Sequence, residues 1–139
     1  MKKVVTFFSA LMVVGIASAL EDERTPVDFP PPMQAHMLAN MRDHLAALAE
    51  ANTLAAAGRW DEAADVVENR IGMTSLEAHG ASHMAPRMPQ GMRELGTALH
   101  RAASRLARTL QEGDPVATMG AMGELMTRCH ACHSSYRLR

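Results

Sequence analysis

The chain has 139 residues, 47% of them hydrophobic, 4% aromatic and 21% charged, with a formal net charge of −1. That length suits one domain able to bury a core without disulfide staples, and the near-neutral charge excludes a nucleic-acid binder held by a basic surface. Three Phe, one Trp and one Tyr are too few for a β-sandwich, whereas the abundant alanine, leucine, methionine and arginine are good helix formers, so composition points to an all-α protein.

Residues 1–19 read as a secretory signal peptide. Lys2 and Lys3 precede an almost wholly apolar Val4–Ile16, and Ala17-Ser18-Ala19 is an A-x-A cleavage pattern followed by Glu21, Asp22 and Glu23. The apolar run is short against the roughly 20 residues that a membrane span needs, and the absence of a twin arginine favours export in the unfolded state. The mature domain, 20–139, then keeps twelve arginines, fifteen acidic residues and no lysine. It has no second apolar span, so a periplasmic protein free of the membrane after cleavage is expected.

Residues 20–32 should be extended, because Pro30-Pro31-Pro32 blocks a helix before it and suits the first turn of one after it. The first helix is expected over 33–57, with Met37, Met41, His44 and Leu48 on one face, Leu38 and Leu45 widening that stripe, and Gly58 at C′. A second spans 62–71, with Asp61 as N-cap and Ala64, Val67 and Ile71 as its apolar stripe. Residues 72–89 read as a long connection, interrupted at most by one turn at Thr74-Ser75-Leu76-Glu77, a capping-box pattern. The third helix, 90–111, steps through Met92, Leu95, Leu99, Ala102, Leu106 and Leu110. The fourth, 116–137, opens on Asp114-Pro115 and places Met119, Met122, Met126, Cys129 and His133 on one face, which should enter the core. Four amphipathic helices with mostly short links predict an up-down-up-down bundle.

Chemistry concentrates in Cys129-His130-Ala131-Cys132-His133. C-x-x-C-H is the attachment signature of c-type haem: two thiols three residues apart on a helix can each reach one vinyl group of the same porphyrin, and His133 then offers a neutral imidazole to the iron. A thioredoxin-like pair would need a strand leading into its helix, but a helical pattern leads in here. Structural zinc would need a second ligand pair. A plain disulfide suits an exported protein but leaves His133 unexplained.

The chain ends Cys129-x-x-Cys132-His133-x-x-Tyr136-Arg137. Haem attachment so close to the end of the fourth helix of a bundle resembles cytochrome c′ and its low-spin relatives, over all of 20–139 in architecture and sharply in sequence over 129–137. The resemblance implies a periplasmic protein with one covalent haem c and its iron, often a homodimer through its first two helices. High-spin members of that family leave the sixth iron position open and bind NO or CO. Low-spin members fill it with a methionine of the first helix and look like electron carriers. Arg128, Tyr136 and Arg137 would then lie in the haem surroundings. The chain departs from the family pattern in lacking an arginine one turn before the distal position; Arg42 is the only basic residue in that half of the helix, which leaves Arg87, Arg128 or Arg137 for the propionates.

In the bundle topology, the end of the fourth helix lies beside the start of the first and beside the 72–90 connection. The candidates for the distal side of the iron are therefore Met37, Met41 and His44, with the family favouring Met41 or His44. His79, His83, Met84 or Met88 of the connection could swing over instead, or the site could stay open. His100 reads as structural, His130 as solvent-facing, and His36 as beside the stripe. A peroxidase would want a polar acid–base pair, and His44 with Arg42 or Asp43 is a poor one, since adjacent helix positions diverge. The leading expectation is an electron carrier working with a redox partner protein rather than an enzyme; the alternative is a five-coordinate protein for small gas ligands.

Overall fold

Three prolines start the first helix rather than precede it. Pro30 is the N-cap of α1, Pro31–Ala56, and Pro31 and Pro32 occupy its first turn, where a missing N–H costs nothing. The computed structural model describes residues 22–139, so the expected signal segment 1–19 lies outside the described residues. Helix α1 ends at Gly58, whose φ of +74° needs no Cβ.

Helix α2, Trp60–Arg70, begins two residues before the expected boundary, and its N-cap is Arg59. Asp61 is therefore not the cap; it sits with Glu62 in the first turn, where a carboxylate complements the helix dipole. The connection after α2 is more ordered than expected. It holds a 3₁₀ turn, Met73–Leu76, the short helix α3, Ala81–Met84, and a second 3₁₀ turn, Ala85–Arg87. The expected capping box does not form. Thr74 Oγ1 donates to the Glu68 carbonyl at 2.8 Å and buried Ser75 Oγ donates to the Gly72 carbonyl at 2.7 Å.

Helix α4, Gln90–Gln111, matches the expected span. Helix α5, Pro115–Ser135, is capped as expected by Asp114, whose carboxylate accepts from the amides of Val116 and Ala117. It stops two residues early, because Tyr136–Leu138 forms a strand, β2, paired in parallel with β1, Thr25–Val27. Thr25 faces Tyr136, Pro26 faces Arg137 and Val27 faces Leu138, so the chain entering α1 is tied to the chain leaving α5.

The long helices form the four-helix bundle that the sequence predicts, with α1 packed on α2, α2 on α4 and α4 on α5. The main core is rich in alanine: Ala47, Ala51, Ala63, Ala64, Ala102 and Ala103 let the backbones approach around Val67, Ile71, Leu106, Leu110 and Leu125. A second cluster, at the end where α1 begins and α5 finishes, buries Val27, Phe29, Met37, Met84 and Met92. The fourth seam of the bundle, α1 against α5, is almost without contact.

Candidate functional site

The open seam is where the apolar stripes of both helices point. On α1, Arg70 of α2 binds Asp43, with Nε donating to Oδ2 at 3.1 Å, and Glu50 at 2.6 Å, which marks the flank turned to α2. By helical periodicity Leu38, Met41, Leu45 and Leu48 lie on the opposite flank. On α5, an ion pair between Glu124 and Arg105 marks the flank turned to α4, and Met119, Met126 and His133 lie on the other. The two apolar flanks therefore border the same seam, yet Leu38 stays 42% exposed, Leu45 71%, Met119 71% and Met126 58%.

This corrects one expectation. Of the stripe Met119, Met122, Met126, Cys129 and His133, only Met122 is buried, while His133 is exposed. The face of α5 that enters the core is Thr118, Met122 and Leu125. Periodicity located the stripe, but the stripe lines a slot instead of filling a core.

Cys129 and Cys132 sit at one end of that slot, one helical turn apart, as half-buried free thiols. Cys129 packs against the main core and Cys132 against the methionine cluster. Burial pushes both thiols above their ordinary range, and Cys129 adds to the effect on Cys132. A thiol pair built for disulfide exchange needs the reverse, a stabilised thiolate.

The methionine cluster gathers side chains from three elements: Met33, Met37 and Met41 from α1, Met84 and Met88 from the connection, and Met92 from α4. Met37 is buried in it and Met41 half-buried at its edge. Tyr136 packs against the same cluster. Its hydroxyl lies over α4 at Gly91, where a Cβ would stand only 2.6 Å away.

His44 is placed elsewhere. It is 7% exposed and its ring lies 4.9 Å from that of His79 and 5.9 Å from that of His100. Burial first, then His79 and His100, lowers its pKa to about 4. His83 and His130 are exposed, and Met84 is buried in the methionine cluster.

The cations near the thiols have different surroundings. Arg137 Nε stands 3.3 Å from Asp22 Oδ2 and Arg128 Nη2 stands 3.6 Å from Glu124, and the buried Nε of each arginine makes no hydrogen bond. Arg87 is exposed on the connection. Sequence reasoning missed Arg24, whose guanidinium donates to the His133 carbonyl at 3.3 Å and pairs with Asp22 at 2.7 Å. Nothing local marks residue 24; the β1–β2 pairing brings it to the end of α5.

The site residues fit a porphyrin. Two protonated thiols and an exposed imidazole border an apolar slot whose walls are uncovered, with thioether side chains at its closed end. As they stand, no group of three or more His, Cys, Asp or Glu among the described residues could hold a metal ion. None of the helices among the described residues is long and apolar enough to cross a membrane. No curated protein and no solved structure matches the chain. A family model does: that of Cytochrome C′ matches residues 33–137, from the first turn of α1 to the strand that follows α5. The slot, the thiols and the methionine cluster fall within one matched unit, and the chain belongs to the cytochrome c′ family.

Proposed function

We propose that this chain is an exported electron carrier that holds one haem c through Cys129 and Cys132, with His133 as the proximal iron ligand and Met41 as the distal one. The observation that carries the reading is the shared cluster: Cys132 and Met41, on helices that scarcely touch elsewhere, pack against the same methionine-rich group. Iron held by imidazole and thioether supplies one-electron chemistry, at a potential raised by the thioether.

The chain's own residues set the conditions. Cys129 and Cys132 fix the ring to α5 at two points. Leu38 and Leu45 of α1, with Met126 of α5, are exposed along the slot and would pack against a bound ring and exclude water from it. The apolar wall disfavours the additional charge of the ferric state. Met41 is preferred over Met37 because it lies at the edge of the cluster on the slot flank, whereas Met37 is buried within it. His44 is turned toward His79 and His100 instead. Arg128 and Arg137, each with a buried Nε that makes no hydrogen bond, are the cations placed to answer the propionates.

Family members are generally periplasmic, and the signal-like residues 1–19 support the same location for this chain. The second reading is an open distal site for NO or CO. It is favoured by the wholly apolar character of Met37, Met41, Leu38 and Leu45, which offer no hydrogen-bond donor to a ligand bound at the iron. The deciding experiment is the visible spectrum of purified ferrous protein before and after CO. Sharp, split bands unmoved by CO support the carrier; a broad spectrum that shifts at once supports the gas-binding protein.

A further inference from the structure

Three histidines far apart in sequence meet inside the bundle. His44 comes from α1, His79 from the connection and His100 from α4, with ring centroids 4.9, 5.4 and 5.9 Å apart. A metal held by three imidazoles at about 2.1 Å, in tetrahedral arrangement, sets ring centroids about 5 Å apart. The trio is close to that spacing.

Two of the rings are already oriented. His100 Nδ1 lies 2.6 Å from the Ile71 carbonyl, which can only accept, so Nδ1 donates and Nε2 keeps its lone pair. Ser75 Oγ gives its proton to the Gly72 carbonyl and stands 3.2 Å from His79 Nδ1, so His79 also donates there and frees Nε2. Fixing the outer nitrogen by a carbonyl or hydroxyl is how metal-binding histidines are usually set. The backbone of His79 is itself held to α1 by His36 Nε2 at 3.0 Å and Asn40 Nδ2 at 3.2 Å, both on its carbonyl.

The third ring supplies an unanswered atom. His44 is more than nine-tenths buried and its Nε2 has no hydrogen-bond partner, a state that ordinarily costs about 1–3 kcal/mol. All three rings are held toward the neutral form, chiefly by burial, and neutral imidazole is the form that ligates.

We propose that His44, His79 and His100 form a second metal site, independent of the haem, which takes one divalent zinc-like ion with a fourth position left to water. As they stand the three rings do not hold a metal ion; their spacing and the tautomers of His79 and His100 are in place, and binding requires the His44 ring, whose Nε2 has no hydrogen bond to lose, to turn about its soft χ2 torsion. The proposal rests on the haem reading only in leaving His44 free of the iron.

Calorimetric titration of the chelator-treated, haem-loaded protein with Zn²⁺ tests it. One equivalent should bind. His79→Ala and His100→Ala should each abolish that event, and Ser75→Ala should weaken it about ten- to hundredfold. His83→Ala, at an exposed ring, should leave it intact. Circular dichroism reports whether each variant folds; His79 is part-exposed, so its variant decides if His100→Ala does not fold. Absence of zinc binding, or binding unchanged in His79→Ala, overturns the proposal. A His133→Ala variant separates the two readings, since it should alter the haem spectrum and keep the zinc equivalent.

Discussion

The hydroxyl of Tyr136 occupies the space that a side chain at Gly91 would need. A Cβ there would lie 2.6 Å from the oxygen but 3.8 Å from Tyr136 Cζ, so the conflict is with the hydroxyl alone. Alanine in a helix is otherwise favoured over glycine by about 1 kcal/mol. Gly91→Ala should therefore be destabilising in the native background, where Tyr136 has to shift, and stabilising in a Tyr136→Phe background. Urea unfolding of the two single variants and the double variant gives the coupling directly. Additive effects would show that Tyr136 moves aside freely.

Burial separates two leucines that the sequence treats alike. Leu106 is fully buried in the main core and Leu45 is 71% exposed at the slot. Leu106→Ala should cost about 2–5 kcal/mol in any state of the protein. Leu45→Ala should be near neutral in haem-free protein and destabilising in haem-loaded protein, where the ring covers it. Thermal unfolding of both forms checks this. An equal effect of Leu45→Ala with and without haem would place the ring elsewhere.

The contrast shows what the sequence could reveal. The four long helices were legible because proline, glycine and Asp114 punctuate them and their apolar residues recur at helical spacing; Gln90–Gln111 was placed to the residue. Periodicity also found the stripe that ends in Cys129 and His133. It could not tell whether anything covers that stripe, since a seam awaiting a prosthetic group and a packed core demand the same apolar residues. The β1–β2 pair was invisible because each strand is three residues long and carries no pattern of its own. The histidine trio was missed for a related reason: His44, His79 and His100 are brought together only by the tertiary fold, and His100 read as structural for want of a neighbour.

The trio sets an acid limit on stability. The pKa of His44 falls from 6.5 to about 4 on folding, with His79 and His100 displaced in the same direction and Asp43 the opposing charge. A depressed folded pKa means that the unfolded chain takes up protons first as pH falls. Stability is thus fully present above about pH 6.5 and is lost toward pH 4, by about 3 kcal/mol from His44 alone at 1.36 kcal/mol per unit. Denaturant midpoints of zinc-free protein, measured between neutral pH and pH 4, should decline steadily. A flat profile would mean that the rings are solvated in both states.

On the proposed reading, covalent haem attachment depends on the two thiols and not on the slot. Cys129→Ala with Cys132→Ala should leave a folded bundle, because neither thiol is fully buried or bonded to the other, yet no haem should survive denaturing electrophoresis. Retention of covalent haem in the double variant would overturn the assignment of the site.

On the proposed reading, Met41 is what separates carrying electrons from binding gas. It is half-buried beside the cluster that also holds Cys132, so Met41→Ala should remove a ligand without emptying the core, at a cost below the roughly 2–5 kcal/mol of a fully buried methionine. The ferrous variant should then bind CO rapidly, where the parent protein does not, and its potential should fall as the thioether is lost. Met37→Ala is the control: it is buried in the cluster at 8% exposure, so it should cost stability and leave the CO response slow. Rapid CO binding by the parent protein would show that Met41 only lines the slot, and the gas-binding reading would take its place.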